Sequence, residues 1–186
     1  MAKFLHGTSF ESAQNIILNH KLGDSHTIWN CSRNDMLYMR DAEDEDAEYL
    51  CIESGKIAAA YTNSQSNCIA LLCIEIPDEL VEEFVEEDDS CDNMYGCFQI
   101  LYSDLNKHIA SNQFKLTISI FEDSYIPYLR PFYLTNISEE YMSISDVMLK
   151  EAINILKKND NYIEELWYIG EKINTYDFNN DKYIEE

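Results

Sequence analysis

The sequence is short of positive charge: 13 lysines and arginines face 35 aspartates and glutamates, and the formal net charge is −22. Such a surface repels polyanions, which disfavours nucleic acid as a partner. Glycine and proline are sparse as well, with 5 and 3 copies in 186 residues, and no internal repeat or low-complexity linker marks a domain boundary. No apolar run is long enough to cross a bilayer and neither end resembles a lipid anchor, so no membrane association is expected. In the sequence no secretory n-region or apolar h-region precedes the cysteines, and no two of Cys31, Cys51, Cys68, Cys73, Cys91 and Cys97 form a CxxC pair. The six are expected as reduced thiols of a cytoplasmic protein, packing as small hydrophobes. His20, His26 and His108 show no ligand spacing with one another or with cysteines, which argues against a metal centre, and no hydrolase nucleophile motif is present.

What is present suffices for a core. The composition is 46% hydrophobic and 12% aromatic, with 13 tyrosines and 8 phenylalanines, enough apolar surface to offset chain entropy in one domain spanning 1–186. Lys3 to His6 reads as a strand ending at Gly7-Thr8. Ser9 then caps a helix with apolar positions Phe10, Ala13, Ile16 and Ile17, closed by Leu22-Gly23. Thr27 to Cys31 reads as a short strand, and Met36 to Arg40 fits no single type. The acidic run Asp41 to Glu48 leads into a helix carrying Ala47, Leu50, Cys51, Ala58 and Tyr61 near one face. Cys68 to Ile76 has the pattern of a central strand, stopped by Pro77.

Glu79 to Asp92 reads as an amphipathic helix with a solvated acidic face, which could instead dock a partner. Strands are expected at Phe98–Tyr102, Phe114–Phe121 and Phe132–Ile137, and helices from Ser145 to about Lys158 and near Tyr162–Ile173. The tail after Asn174 reads as loose.

Chemistry concentrates in Phe4-Leu5-His6-Gly7-Thr8-Ser9. A histidine at a strand's carboxyl end opens into the crevice where α/β sheets place ligands, and the glycine allows close approach to the backbone. A histidine beside a turn is more often a satisfied structural group, so the spacing alone does not decide. The order of the downstream elements adds weight. His6-Gly7-Thr8 after an apolar strand, a helix ending near Leu22, then Trp29, Ser32, the Ala58-Ala59-Ala60-Tyr61 segment and an apolar strand resemble the diphtheria-toxin-type and poly(ADP-ribose)-polymerase-type ADP-ribosyltransferases.

The resemblance implies an α+β fold with a split mixed or antiparallel β-sheet core and flanking helices, here with a helical C-terminal extension over about 145–175. It implies NAD as a substrate, with His6 bonded to the ribose beside Gly7, Thr8 and Ser32. Two rings would sandwich the nicotinamide, Tyr61 with either Trp29 or Tyr38. Arg33 could meet the pyrophosphate by a charge-assisted pair. A carboxylate is needed to steady the oxocarbenium-like sugar. Glu122-Asp123-Ser124-Tyr125-Ile126 resembles the family's glutamate segment, although strict register puts Ser124 where the glutamate belongs. Glu122 is favoured over Asp123. The expected activity is transfer of ADP-ribose to a protein acceptor with a basic face, in a cytoplasmic toxin, effector or phage protein, or one delivered into a host cytosol. The alternative is an inactive acidic binder, an inhibitor or DNA mimic, docking on a basic partner through Asp41–Glu48 and Glu79–Asp92.

Overall fold

The computed structural model describes residues 1–23, 33–62, 64–88, 96–124, 126 and 169–184. Among them the chain alternates strands and helices: β1 (Ala2–Ser9), α1 (Phe10–Asn19), β2 (Met36–Asp41), α2 (Ala47–Tyr61), β3 (Cys68–Ile76), α3 (Asp78–Phe84), β4 (Val85–Glu87), β5 (Cys97–Leu101), α4 (Tyr102–Ala110), β6 (Lys115–Glu122), β7 (Glu171–Asp177) and β8 (Lys182–Ile184). The strands form one eight-stranded sheet in the order β4-β5-β2-β1-β3-β6-β7-β8, and every neighbouring pair is antiparallel. The described fold is therefore α and β with an antiparallel sheet. No helix among the described residues is long and apolar enough to cross a membrane.

Strand alternation sorts the side chains into two cores. Phe4, Leu37, Met39, Ala70, Leu72, Ile74, Leu116, Ile118, Ile120 and Tyr176 face α1 and α4, which contribute Ala13, Leu105 and Ile109. Leu5, Ile69, Leu71 and Phe121 face α2, which contributes Ala47, Cys51, Ile52 and Ala59. β3 packs on both sides, which is why its sequence is apolar but for Glu75 near its end. The register Thr8↔Ala70↔Ile120 puts β1, β3 and β6 side by side with their ends level.

The local chemistry explains the boundaries. Ser9, 1% exposed, caps α1 by accepting from the Ser12 N–H at 3.3 Å. The helix stops at Asn19, short of the expected Leu22-Gly23, because His20 takes a left-handed conformation (φ 47°) and its N–H returns to Ile16 O. Met36–Asp41, ambiguous in sequence, is a strand that pairs with both β1 and β5. The acidic segment after Pro77 is helical only through Phe84 and then turns into β4.

The C-terminal expectation is corrected. Residues 171–177, expected as helix end and loose tail, form β7, and β8 follows it. The segment holds because Tyr176 and Phe178 bury apolar rings, 3% and 5% exposed. Asn179 pins the following turn, accepting from Leu116 N–H at 2.9 Å and donating to Phe114 O at 3.0 Å. The strands expected at Thr27–Cys31 and Phe132–Ile137 and the helix at Ser145–Lys158 lie outside the described residues, as does the Tyr162–Ile173 helix up to residue 168.

Candidate functional site

β1 carries His6 and Thr8 on the face that looks toward α1. Both line a cavity of about 320 Å³ whose floor is Leu22, Leu37 and Leu72, and whose rim includes Ser12, Asn15 and Asn19 of α1, Lys21 and Tyr102. The rim residues of α1 recur at i, i+3 and i+7, so they share one polar stripe of the helix facing the cavity. An apolar floor with a few convergent polar groups is the usual make-up of a small-molecule site, and the volume falls at the lower end of such sites.

The His6 ring is held through its Nδ1, which lies 2.6 Å from Tyr38 O. A carbonyl only accepts, so Nδ1 carries the proton and Nε2 keeps the lone pair. Burial holds the ring's pKa below 6.5, against the raising effect of the Tyr38 bond. At neutral pH His6 is therefore an uncharged acceptor, suited to receive a hydroxyl proton from a sugar.

The far wall is clamped by Asn106. Its Oδ1 accepts from Leu22 N–H at 2.8 Å, while its amide donates to Leu22 O at 2.7 Å and Tyr102 O at 2.8 Å. Gly23, at φ +93°, lies flat against the Tyr102 ring, and a Cβ there would come within 2.9 Å of Cγ. Tyr102 thus has a fixed position at the cavity edge.

Glu122 ends β6, exposed, on the same sheet face as His6 and Thr8. It pairs across the ladder with Cys68, whose thiol pKa is raised by burial, with the charges of Glu122 and Glu11 adding to the effect. Two carboxylates therefore flank this strand end. Glu11, absent from the expectations, is held by Ser64 Oγ, which donates to its Oε1 at 2.6 Å. Ladder geometry separates the Cα atoms of His6 and Glu122 by about 16 Å, two strands across and four residues along. The two side chains do not meet each other, and the sheet face between them, made by Ala70, Leu72, Ile118 and Ile120, is buried in the core.

Several expected residues fall elsewhere. Asp123 is 1% exposed and faces α2, where Lys56 Nζ meets its Oδ2 at 2.7 Å; it cannot present a carboxylate to a ligand in the cavity. Gly7 gives no open approach: α2 fills the space above it, with Cys51 O where a Cβ would stand. Arg33 is exposed and spends its guanidinium on Asp35, Nε to Oδ1 3.0 Å and Nη2 to Oδ2 2.7 Å. That hydrogen bond in turn holds the Asp35 carboxyl below its usual pKa. Tyr38 alternates away from His6, and its hydroxyl accepts from Arg33 N–H at 2.7 Å. Tyr61 ends α2 and so lies on the opposite side of the sheet from the cavity. Trp29 and Ser32 lie outside the described residues. The ring, lysine and polar helix stripe at the cavity were missed; the signal available was the Ser12, Asn15, Asn19 spacing directly after the strand-borne histidine.

Among the described residues no three His, Cys, Asp or Glu side chains converge on a metal site, and Cys51, Cys68, Cys73 and Cys97 are free thiols. Compared with family models, curated proteins and solved structures, the chain matches none.

Proposed function

We propose that the protein splits NAD and transfers ADP-ribose to a protein acceptor with a basic face, releasing nicotinamide, on a fold of the ADP-ribosyltransferase type. The supporting observation is that His6 and Thr8 open together into one cavity while Glu122 stands exposed on the same sheet face. Neutral His6 accepts a ribose hydroxyl at Nε2. Tyr102 offers the ring against which nicotinamide stacks, in the role the resemblance assigned to Tyr61, Tyr38 or Trp29. Lys21, the one lysine or arginine among the described lining residues, takes the pyrophosphate in place of Arg33. The Glu122 carboxylate opposes the positive charge that develops on the sugar as the glycosidic bond breaks. The test is nicotinamide release and acceptor labelling from labelled NAD in a cell lysate. Wild-type protein should show both, and Glu122→Gln and His6→Ala should lose both. A wild type that neither binds nor cleaves NAD ends this reading.

A second reading has support from the positions of Tyr38, Tyr61 and Asp123 away from the cavity. In it the acidic runs at Asp41–Glu48 and Glu79–Asp92 dock a basic protein and NAD has no part. It requires binding that weakens with salt and with charge reversal in those runs and is indifferent to His6.

A further inference from the structure

Lys56 of α2 and Asp123, the residue after β6, form an ion pair at 2.7 Å with side chains 1% and 0% exposed. Burying two charges forfeits their hydration, and apolar side chains of similar volume would fill the space without that cost. The pair's position suggests what it does instead. Asp123 is bonded on its other sides too: its N–H donates to Asn67 O at 2.7 Å and its carbonyl accepts from Ile126 N–H at 3.2 Å. Gly170, at φ +91°, passes so close that a Cβ would lie 2.8 Å from Glu122 O and 3.3 Å from Asp123 Cβ. β7 also carries an extra residue, Ile173, opposite the step from Ile120 to Phe121, a bulge of the kind that re-aims a strand end. With Asp123 locked toward α2, strand alternation turns its neighbour Glu122 to the cavity face.

We propose that the buried Lys56–Asp123 pair is a positioning device, clamping the end of β6 to α2 so that the Glu122 carboxylate is presented on the face occupied by His6 and Thr8. This rests on the reading of Glu122 as the carboxylate of NAD cleavage. Lys56 and Asp123 touch no substrate themselves, and α2 becomes part of the site's scaffold from the opposite side of the sheet.

The experiment compares wild type, Asp123→Asn and the double variant Lys56→Met/Asp123→Leu by thermal melting, by kcat and KM for nicotinamide release, and by amide hydrogen exchange at Asp123. Asp123→Asn leaves a buried ammonium without its countercharge, so its Tm falls; the apolar double variant regains wild-type Tm. Both should lose about tenfold to a hundredfold in kcat with KM for NAD within about twofold, the signature of a misplaced reacting group. Both should exchange the Asp123 amide faster, since its bond to Asn67 O is no longer held. A double variant with wild-type kcat and an Asp123 amide as protected as in wild type overturns the proposal. If wild type releases no nicotinamide, the transferase reading fails by itself, and unchanged amide protection in the double variant would still decide against the clamp.

Discussion

Gly7 stands directly beneath the carbonyl of Cys51: a Cβ built on it would lie 1.5 Å from that oxygen and 3.1 Å from Gly55 N. The crossing of α2 over β1 is therefore a backbone-to-backbone contact, reinforced where the Cys51 Sγ–H donates to Leu5 O at 3.3 Å. The glycine of the His-Gly-Thr run serves the helix on one face of the strand while the histidine beside it serves the cavity on the other.

The first prediction concerns that contact. Gly7→Ala must push α2 off the sheet, since the obstructing atom is backbone and no rotamer change relieves it. Overpacking of this kind costs about 3 kcal/mol or more. Urea denaturation should show a lower midpoint with little change in slope. A stable Gly7→Ala protein would mean that α2 does not sit where it is described.

How much of this was legible in the sequence depended on how local the cause was. Ser9 announces its cap and Cys68–Ile76 its strand, because a hydroxyl before an amphipathic run and an almost wholly apolar stretch before proline act within a few residues. β7 was not legible, since its partner β6 lies some fifty residues earlier and its own residues from Glu171 to Asn174 are exposed and, but for Ile173, polar. Only Tyr176 and Phe178 declare the burial. In the site, His6 was expected as the last side chain of its strand, but β1 runs on to Ser9 and pairs His6 with Leu72 in mid-strand, so what takes it to the cavity is its face of the sheet. Tyr102 was not, because what brings it to His6 is the pairing of β2 with β5, a contact between residues about 60 apart. Glu122 and Asp123 could not be told apart by composition; alternation at the end of β6, set by long-range pairing, sends one to each face.

The second prediction concerns burial of the His6 ring. Its folded-state pKa lies below 6.5, so on acidification the unfolded chain takes up this proton first. The contribution to stability is complete above about 6.5 and is lost as the pH falls toward the folded value, at up to ~1.4 kcal/mol per pH unit. Melting curves of wild type and His6→Gln between pH 8 and pH 5 should converge as the pH falls. Parallel curves would place the ring in water.

A third prediction concerns the thiols. Burial pushes the Cys51 pKa up to about 12, and the residue is 4% exposed. The thiolate is the reactive form, so alkylation at pH 8 requires opening of the structure. Cys51 should resist iodoacetamide in native protein and react at once in denaturant. Modification of native Cys51 at the rate of a free thiol would contradict its packing under α2.

The last prediction separates the rings. Tyr102 lines the cavity with His6 and Thr8, whereas Tyr61 ends a helix on the other side of the sheet. An aromatic face held rigid by Gly23 gains stacking energy without ordering a side chain, worth about 1 kcal/mol beyond the area it buries. Tyr102→Ala should therefore weaken NAD binding about tenfold by calorimetric titration, and Tyr102→Phe should keep most of it, since the ring and not the hydroxyl makes the contact. Tyr61→Ala should leave binding unchanged. The reverse pattern, loss on removing Tyr61 and none on removing Tyr102, would move the nicotinamide to the α2 face and take His6 out of the site with it.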